Sequence, residues 1–357
     1  MNYKTAVIAL LACISVQSAL CAPITQSNLV SILRAGLIDS DADVRIAAAQ
    51  ALSDIKDQES VPLIRKLLAD ASDTVRIKAA VCLAKMGDRT GVAEVRKMLE
   101  TKMQVTEDMT PAQRMRVVAH GTIRAKAALA LGEMKDKESL PILQGIYSGN
   151  EDGRVSDACL ISLGKLGMAS AQNEFLTGLK SAQQEVRVEA VEALGEIGDK
   201  TCLTPLRLRL KDWSRDVRAA AALSLGKLKD AESVSDITEL VNDEDEIVRE
   251  KAVTALGLIG LTDSVGVVNA KVNDTNGMVR MAAIEALFRL GVEPVNGFLM
   301  HVLEGTDRDA KWRALTVLEL TGGAKDRNKL TPLLDEPDGM IRIEAAKTVL
   351  LLDRRIK

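Results

Sequence analysis

The chain has 357 residues, of which 47 are basic and 50 acidic, giving a formal net charge of −3. Both signs are interspersed and no strongly basic block exists, so a surface that tracks a phosphate backbone is not expected and nucleic acid is excluded as a partner. Aromatic residues make up only 2%, which argues against sugar stacking and against single-stranded nucleic acid, whose bases need π-faces.

The stretch Met1–Cys21 differs from everything after it. Met1–Lys4 supplies a short positive start, Thr5–Val16 is a nearly continuous apolar run, and Ala19-Leu20-Cys21 forms a cleavage site before Ala22. This pattern predicts a secretory signal over 1–21 rather than a membrane span, being too short to cross a bilayer. The protein is then expected outside the cytoplasm, in the periplasm or cell envelope. A rival reading uses Leu10-Leu11-Ala12-Cys13, which resembles a bacterial lipobox and would place a lipid anchor on Cys13. An uncleaved first helix is the third alternative. Beyond the signal three cysteines remain, Cys82, Cys159 and Cys202, an odd count that cannot be fully paired within one chain. Cys82 and Cys159 read as small buried apolar residues.

From residue 22 to the end the sequence is periodic. Ten times a Val-Arg-like pair is followed, eight residues after its first member, by Leu or a near equivalent. The first members are Val44, Val75, Ile123, Val155, Val186, Val217, Val248, Val279, Trp312 and Ile341. The step is nearly constant, with one long gap between Val75 and Ile123 and a small irregularity on either side of Trp312. A fixed period, here roughly 31 positions, marks stacked two-helix units that share one continuous core.

Residues 199–228 show how a unit is built. Asp199 opens a first helix over 201–210, a turn follows, and Ser214 starts a second helix that presents Val217, Ala221, Leu225 and Leu228 on one face. Three residues before each Val position stand Asp41, Ser72, His120, Asp152, Gln183, Ser214, Asp245, Asn276, Asp309 and Asp338. Eight of these ten are Asp, Ser or Asn, which cap free helix N–H groups. Four residues after the Val an Ala recurs, as at Ala190 and Ala221, allowing neighbouring helices to approach closely. Gly167, Gly198 and Gly260 suit left-handed helix ends.

The candidate functional features are four interruptions of the beat, namely the long gap, Ser156, Trp312 in place of the usual Val and the stripe at Glu189–Glu196, together with Trp213. The long gap holds about 17 extra residues, spanning Thr101–Ala119, in which Thr110-Pro111 predicts a helix start. Insertions in solenoids usually sit on one face, often the binding face, which makes Thr110, Arg114 and Arg116 candidate partner contacts. The Arg after each Val is read as a ladder fixing inter-repeat register; only the fourth unit breaks it, with Ser156 in place and Arg154 displaced. Trp213, in the turn before Ser214, is a further candidate contact. In the fifth unit Glu189, Glu192 and Glu196 form an acidic stripe, with Lys165, Lys227 and Lys251 on the neighbouring units. That stripe is either a solvated, salt-bridged face or a patch for a basic partner segment.

The pattern Asp-x-x-Val-Arg-x-x-Ala-x-x-x-Leu-Gly, followed by an Asp as at Asp57, Asp88, Asp136, Asp199 and Asp230, resembles the HEAT repeat. It is most similar to the short bacterial form grouped with phycobilisome-lyase-like HEAT proteins, over about residues 27–357. The resemblance implies an all-α fold, a right-handed α-solenoid of about ten two-helix repeats in an armadillo-like superhelix, occupying 22–357 after the signal. Second helices would line its concave face and first helices its convex one, in an array on the order of 90 Å long. The expected function is an exported, non-catalytic scaffold that binds a protein partner through the concave face. The alternative is a phycobilisome-lyase-like or other modifying enzyme, whose cytoplasmic phycobiliprotein partners conflict with an export signal. An iron-dependent hydroxylase on such repeats needs several His-Glu pairs. This chain has two isolated histidines, His120 and His301, so no metal site and no cofactor are expected.

Overall fold

The computed structural model describes residues 25–104, 106, 108–149, 152–292 and 297–356. The signal expected over 1–21 and the lipid-anchor candidate Cys13 lie outside the described residues. Among those described there are 20 α-helices and no strand. They alternate as first and second helices of ten repeats. The first four pairs are α1 (Gln26–Gly36) with α2 (Ala42–Asp54), α3 (Val61–Lys66) with α4 (Asp73–Lys85), α5 (Val92–Glu100) with α6 (Pro111–Glu133), and α7 (Leu140–Ser148) with α8 (Gly153–Lys165). Next come α9 (Ala169–Gly178) with α10 (Gln184–Ile197), α11 (Leu203–Leu208) with α12 (Arg215–Lys227), and α13 (Val234–Leu240) with α14 (Glu246–Ile259). The last three are α15 (Val265–Ala270) with α16 (Gly277–Arg289), α17 (Gly297–Glu304) with α18 (Arg308–Thr321), and α19 (Ala324–Leu330) with α20 (Gly339–Ile356).

Asp41, Asp152, Asp245, Asn276 and Asp338 accept helix N–H groups as their positions predict. Ser72, Gln183 and Ser214 stand at the same place without a side-chain bond to the helix. Two expected caps are not caps. His120 lies inside α6, because the inserted segment runs without a break into the second helix and makes it 23 residues long. Asp309 lies inside α18, whose cap is Asp307, accepting from the amide of Ala310. That shifts the register of the ninth repeat. Ala310, not Trp312, holds the Val place, midway between Val279 and Ile341 and one regular step from each. Trp312 imitated the beat by being apolar beside an Arg, but it is 41% exposed, whereas Ala314, on the next turn after Ala310, is fully buried. Gly198 and Gly260 end α10 and α14 with positive φ, and Lys56, Lys135 and Lys229 take the same turn in other repeats.

Second helices pack directly on one another, and neighbouring first helices do so far less, so the second helices take the inner radius. Small residues make the inner crossings close. A Cβ on Gly226 would lie 2.6 Å from the Cα of Ala255, and one on Gly257 2.6 Å from that of Ala286. Gly226→Val therefore has no room and should cost at least the roughly 1–3 kcal/mol typical of an overpacked core, read as a lowered Tm; an unchanged melt would remove this crossing from the account.

The solenoid does not run on as an open array; its ends meet. Helix α20 packs against α1 and α2, and one apolar cluster joins Leu29, Leu33 and Leu52 to Ile341, Ile343 and Leu352. A Cβ on Gly36 would lie 2.5 Å from Ile343, and one on Gly339 2.8 Å from Val44. Arg342 reaches Asp39 at 3.9 Å, which continues the ladder from the last repeat to the first. The expected length of about 90 Å thus becomes a circumference. The inner axes lie on a circle roughly 29 Å across, leaving a lumen about 18 Å wide once helix thickness is removed. Each repeat turns by about 36° relative to the last, the small constant rotation that sets solenoid curvature.

Candidate functional site

The arginine ladder is structural, as its spacing predicts. Arg45, Arg187, Arg218 and Arg249 bind Asp70, Asp212, Asp243 and Asp274 at 2.8–3.0 Å, each partner 25 residues further on. Each Arg also donates to the turn before its own helix, as Arg187 does to Ser181 O and Ala182 O. In the corrected ninth repeat Lys311 takes the Arg place and meets Glu336 at 3.5 Å. Arg313 instead crosses the inner face to Glu285 at 3.3 Å. A second ladder runs along the first helices, where Arg34, Arg65, Arg96 and Arg207 bind Asp57, Asp88, Asp136 and Asp230. Sequence reasoning found these aspartates but missed their partners. The signal was available, since an Arg stands 23 residues before the Asp in three of the four.

The inner ladder has no ion pair where Ser156 and Ser181 occupy both its positions. Arg154 turns back to Asp152 at 2.8 Å and to Thr122 at 3.3 Å. There α8 and α10 stand apart, and a cleft of about 840 Å³ opens between them over α9. Its floor is apolar, with Phe175, Gly178, Ala158 and Ala190; Asp157 lies on the α8 wall, and Glu189, Glu192 and Glu196 on the α10 wall. All three expected glutamates, Glu189, Glu192 and Glu196, are exposed along the wall. Lys165 crosses to Glu196 at 2.6 Å. The contribution expected from Lys251 is not made, because Lys251 pairs with Glu250 of its own helix at 2.7 Å.

Loss of water from the Asp157 carboxyl raises its pKa, and Glu189, Glu174 and Asp152 raise it further by like charge. The Tyr147 hydroxyl bonds to Glu174, which, with burial, pushes the phenol up to about 12. Sequence reasoning missed Asp157, Glu174 and Phe175; the only pointer to them was the irregularity at Ser156.

The other candidate residues lie elsewhere. Thr110 is a capping-box residue that accepts from the Gln113 amide. Arg114 and Arg116 are exposed on the first turns of α6, an arm that precedes the repeat proper. Trp213 is 72% exposed, and the Arg187 guanidinium lies 5.0 Å above its ring, so it covers a ladder pair rather than joining the cleft. Cys82, Cys159 and Cys202 are buried; burial pushes the Cys82 thiol up to about 12 and that of Cys202 up to about 11, which keeps both protonated. Among the described residues no group of three His, Cys, Asp or Glu is arranged to hold a metal, and no helix is long and apolar enough to cross a membrane.

A family model for HEAT repeats matches residues 28–106, 173–257 and 235–295, more than half of the chain. The chain is a HEAT-repeat protein. A model of the PBS lyase HEAT-like repeat matches 123–146 of the HEAT ring, from within α6 through most of α7. No curated protein matches the sequence. Among solved structures, the complex of CpcE and CpcF of phycocyanin lyase from Nostoc sp. PCC7120 is 20% identical, over 84% of this chain and 95% of that one, with a TM-score of 0.37. Human deoxyhypusine hydroxylase in complex with glycerol is also 20% identical, over 74% and 97%, with a TM-score of 0.34. An engineered protein is 18% identical over 91% and 99%, again at 0.34.

Proposed function

We propose that the HEAT ring is an exported, non-catalytic scaffold that binds a protein partner on its inner face, with the cleft between α8 and α10 as the principal contact. The observation that carries this reading is the coincidence, in one place, of a missing ladder pair, an opened groove and unbalanced carboxylates. An apolar floor between acidic walls suits a segment that is basic and partly apolar. It buries carbon on the floor while its cations meet the like-charged carboxylates of the walls. The export component rests on the residue pattern of 1–21.

Affinity capture from an envelope extract tests the reading. Wild-type bait should retain a protein that a Glu189→Lys, Glu192→Lys, Glu196→Lys triple variant releases, since like charge at a docking face costs several kcal/mol. Equal retention by both baits would move the contact away from the cleft. Fractionation of the native protein tests export separately, and a cytoplasmic location would favour the lyase-like alternative.

A further inference from the structure

The arm at the start of α6 has chemistry that matches the cleft. Residues 111–120 contain no acidic side chain. At about 100° per residue, Pro111, Met115, Val118 and Ala119 form one apolar stripe, with Arg114 along one flank and Arg116 along the other. Met115 is 74% exposed and Val118 52% exposed, so a turn of helix presents two large apolar groups to solvent. The cleft offers the reverse arrangement. Its floor is apolar at Phe175, Ala158 and Ala190, with Asp157 on one wall and Glu189 and Glu192 on the other. The arm belongs to the helix whose later residues, Ala125 and Leu129, themselves line the cleft. A straight helix cannot fold its own start back onto that groove.

We infer that the arm of one copy of this chain docks in the cleft of a second copy, apolar stripe on floor and arginines against the two acidic walls. This deepens the reading of the cleft as a protein-binding site and rests on it, naming the occupant as the chain itself. Each copy carries one arm and one cleft, so two copies exchanging arms make two equivalent contacts and close a two-fold pair. Asp157, held above its ordinary range by loss of water and then by the neighbouring carboxylates, would gain a countercharge.

Sedimentation velocity over a range of concentrations, on the full chain, is the test. Wild type should associate reversibly. Glu189→Arg with Glu192→Arg should weaken association at least about tenfold, and Arg114→Glu with Arg116→Glu by a similar factor, because each places like charges in contact. Mixing the two variants in equal amounts should restore association through one matched arm and cleft. A thermal melt of each variant checks that folding is retained. A labelled peptide of residues 108–122 should bind the Arg114→Glu, Arg116→Glu variant, whose cleft is intact, and should not bind the Glu189→Arg, Glu192→Arg variant. A wild type that stays monomeric at every concentration, with no peptide binding, overturns self-docking. If cleft-dependent capture of another protein persists in that case, only the identity of the occupant falls, and the binding-site reading stands.

Discussion

Replacing Ile343 by alanine in the last helix is expected to loosen α1, at the other end of the sequence, as much as it loosens α20. Ile343 is 2% exposed, and its side chain fills the space in which Gly36 has no Cβ. Removing it should cost about 2–5 kcal/mol, the range for Ile→Ala in a core that relaxes only partly. In an open solenoid each repeat feels only its neighbours, so damage near residue 343 would fade before reaching the first repeat. In a ring, the first repeat is the neighbour. Urea unfolding measures the total loss, and amide hydrogen exchange locates it. Exchange should quicken over residues 29–36 as well as in α18 and α20. If protection in α1 is unchanged while α18 and α20 are affected, the ring is not closed in solution. The Arg342–Asp39 contact is a poorer probe, because both side chains are partly exposed, 31% and 26%, and such pairs contribute about 0–1 kcal/mol.

Closure was not legible in the sequence, although its components were. Repeat count, capping residues and the close-packing alanines all follow from local spacing, and local spacing fixes one repeat against the next. Whether ten such steps sum to a full turn depends on the rotation per step, which is set by small differences in size between inner and outer layers. Gly226 against Ala255 and Gly257 against Ala286 contribute to that rotation, but no spacing rule reports an angle. The error at Trp312 has a related cause. A periodic template accepts any apolar residue followed by Arg, and Trp312-Arg313 satisfied it slightly late. The discriminating fact was chemical. Lys311 pairs with Glu336 at the same sequence separation as Arg45 with Asp70, and Arg313 has no such partner downstream.

The cleft was legible only in outline. Glu189, Glu192 and Glu196 follow from helical periodicity, and Ser156 was visible as a break. The groove coincides with serine at both ladder positions, Ser156 and Ser181, one ladder step apart, and no spacing rule reports that α8 and α10 separate there. Asp157 and Glu174 then enter the site from helices α8 and α9, whose own patterns look ordinary. The arm shows the opposite case: Thr110-Pro111 identified its start, and α6 begins there through a complete capping box. Its continuity with the second helix was less obvious, since an insertion of this length is equally compatible with a loop.

Asp212→Ala should be the most damaging single change in the inner ladder. Arg187 and Asp212 are each 4% exposed and joined by two bonds of 2.8 Å, and Asp212 also accepts the Ser214 amide at 3.0 Å. Trp213 lies beneath the guanidinium, so removing the carboxylate leaves a positive charge that water cannot readily reach. Breaking one side of such a pair costs about 3–5 kcal/mol, whereas replacing both partners by apolar groups of similar volume is close to neutral. Arg187→Met with Asp212→Leu should therefore recover much of what Asp212→Ala loses. Acidity provides an independent check on the same bond. Burial opposes the Asp212 charge, but the Arg187 bonds and the Ser214 amide outweigh it and hold the folded pKa below its ordinary value. A depressed folded pKa stabilises the protein above the unfolded pKa of about 3.9, and that contribution is lost as pH falls through and below that value. Asp70 behaves alike through its bonds to Arg45, and Asp274 does so through Arg249 against the same opposing burial. Wild-type stability should accordingly fall steeply below about pH 4, and Asp212→Ala should show a shallower acid slope along with its lower plateau. A variant within about 1 kcal/mol of wild type at neutral pH, with an unchanged acid slope, would show that the ladder merely decorates the crossings and that helix packing alone sets the ring.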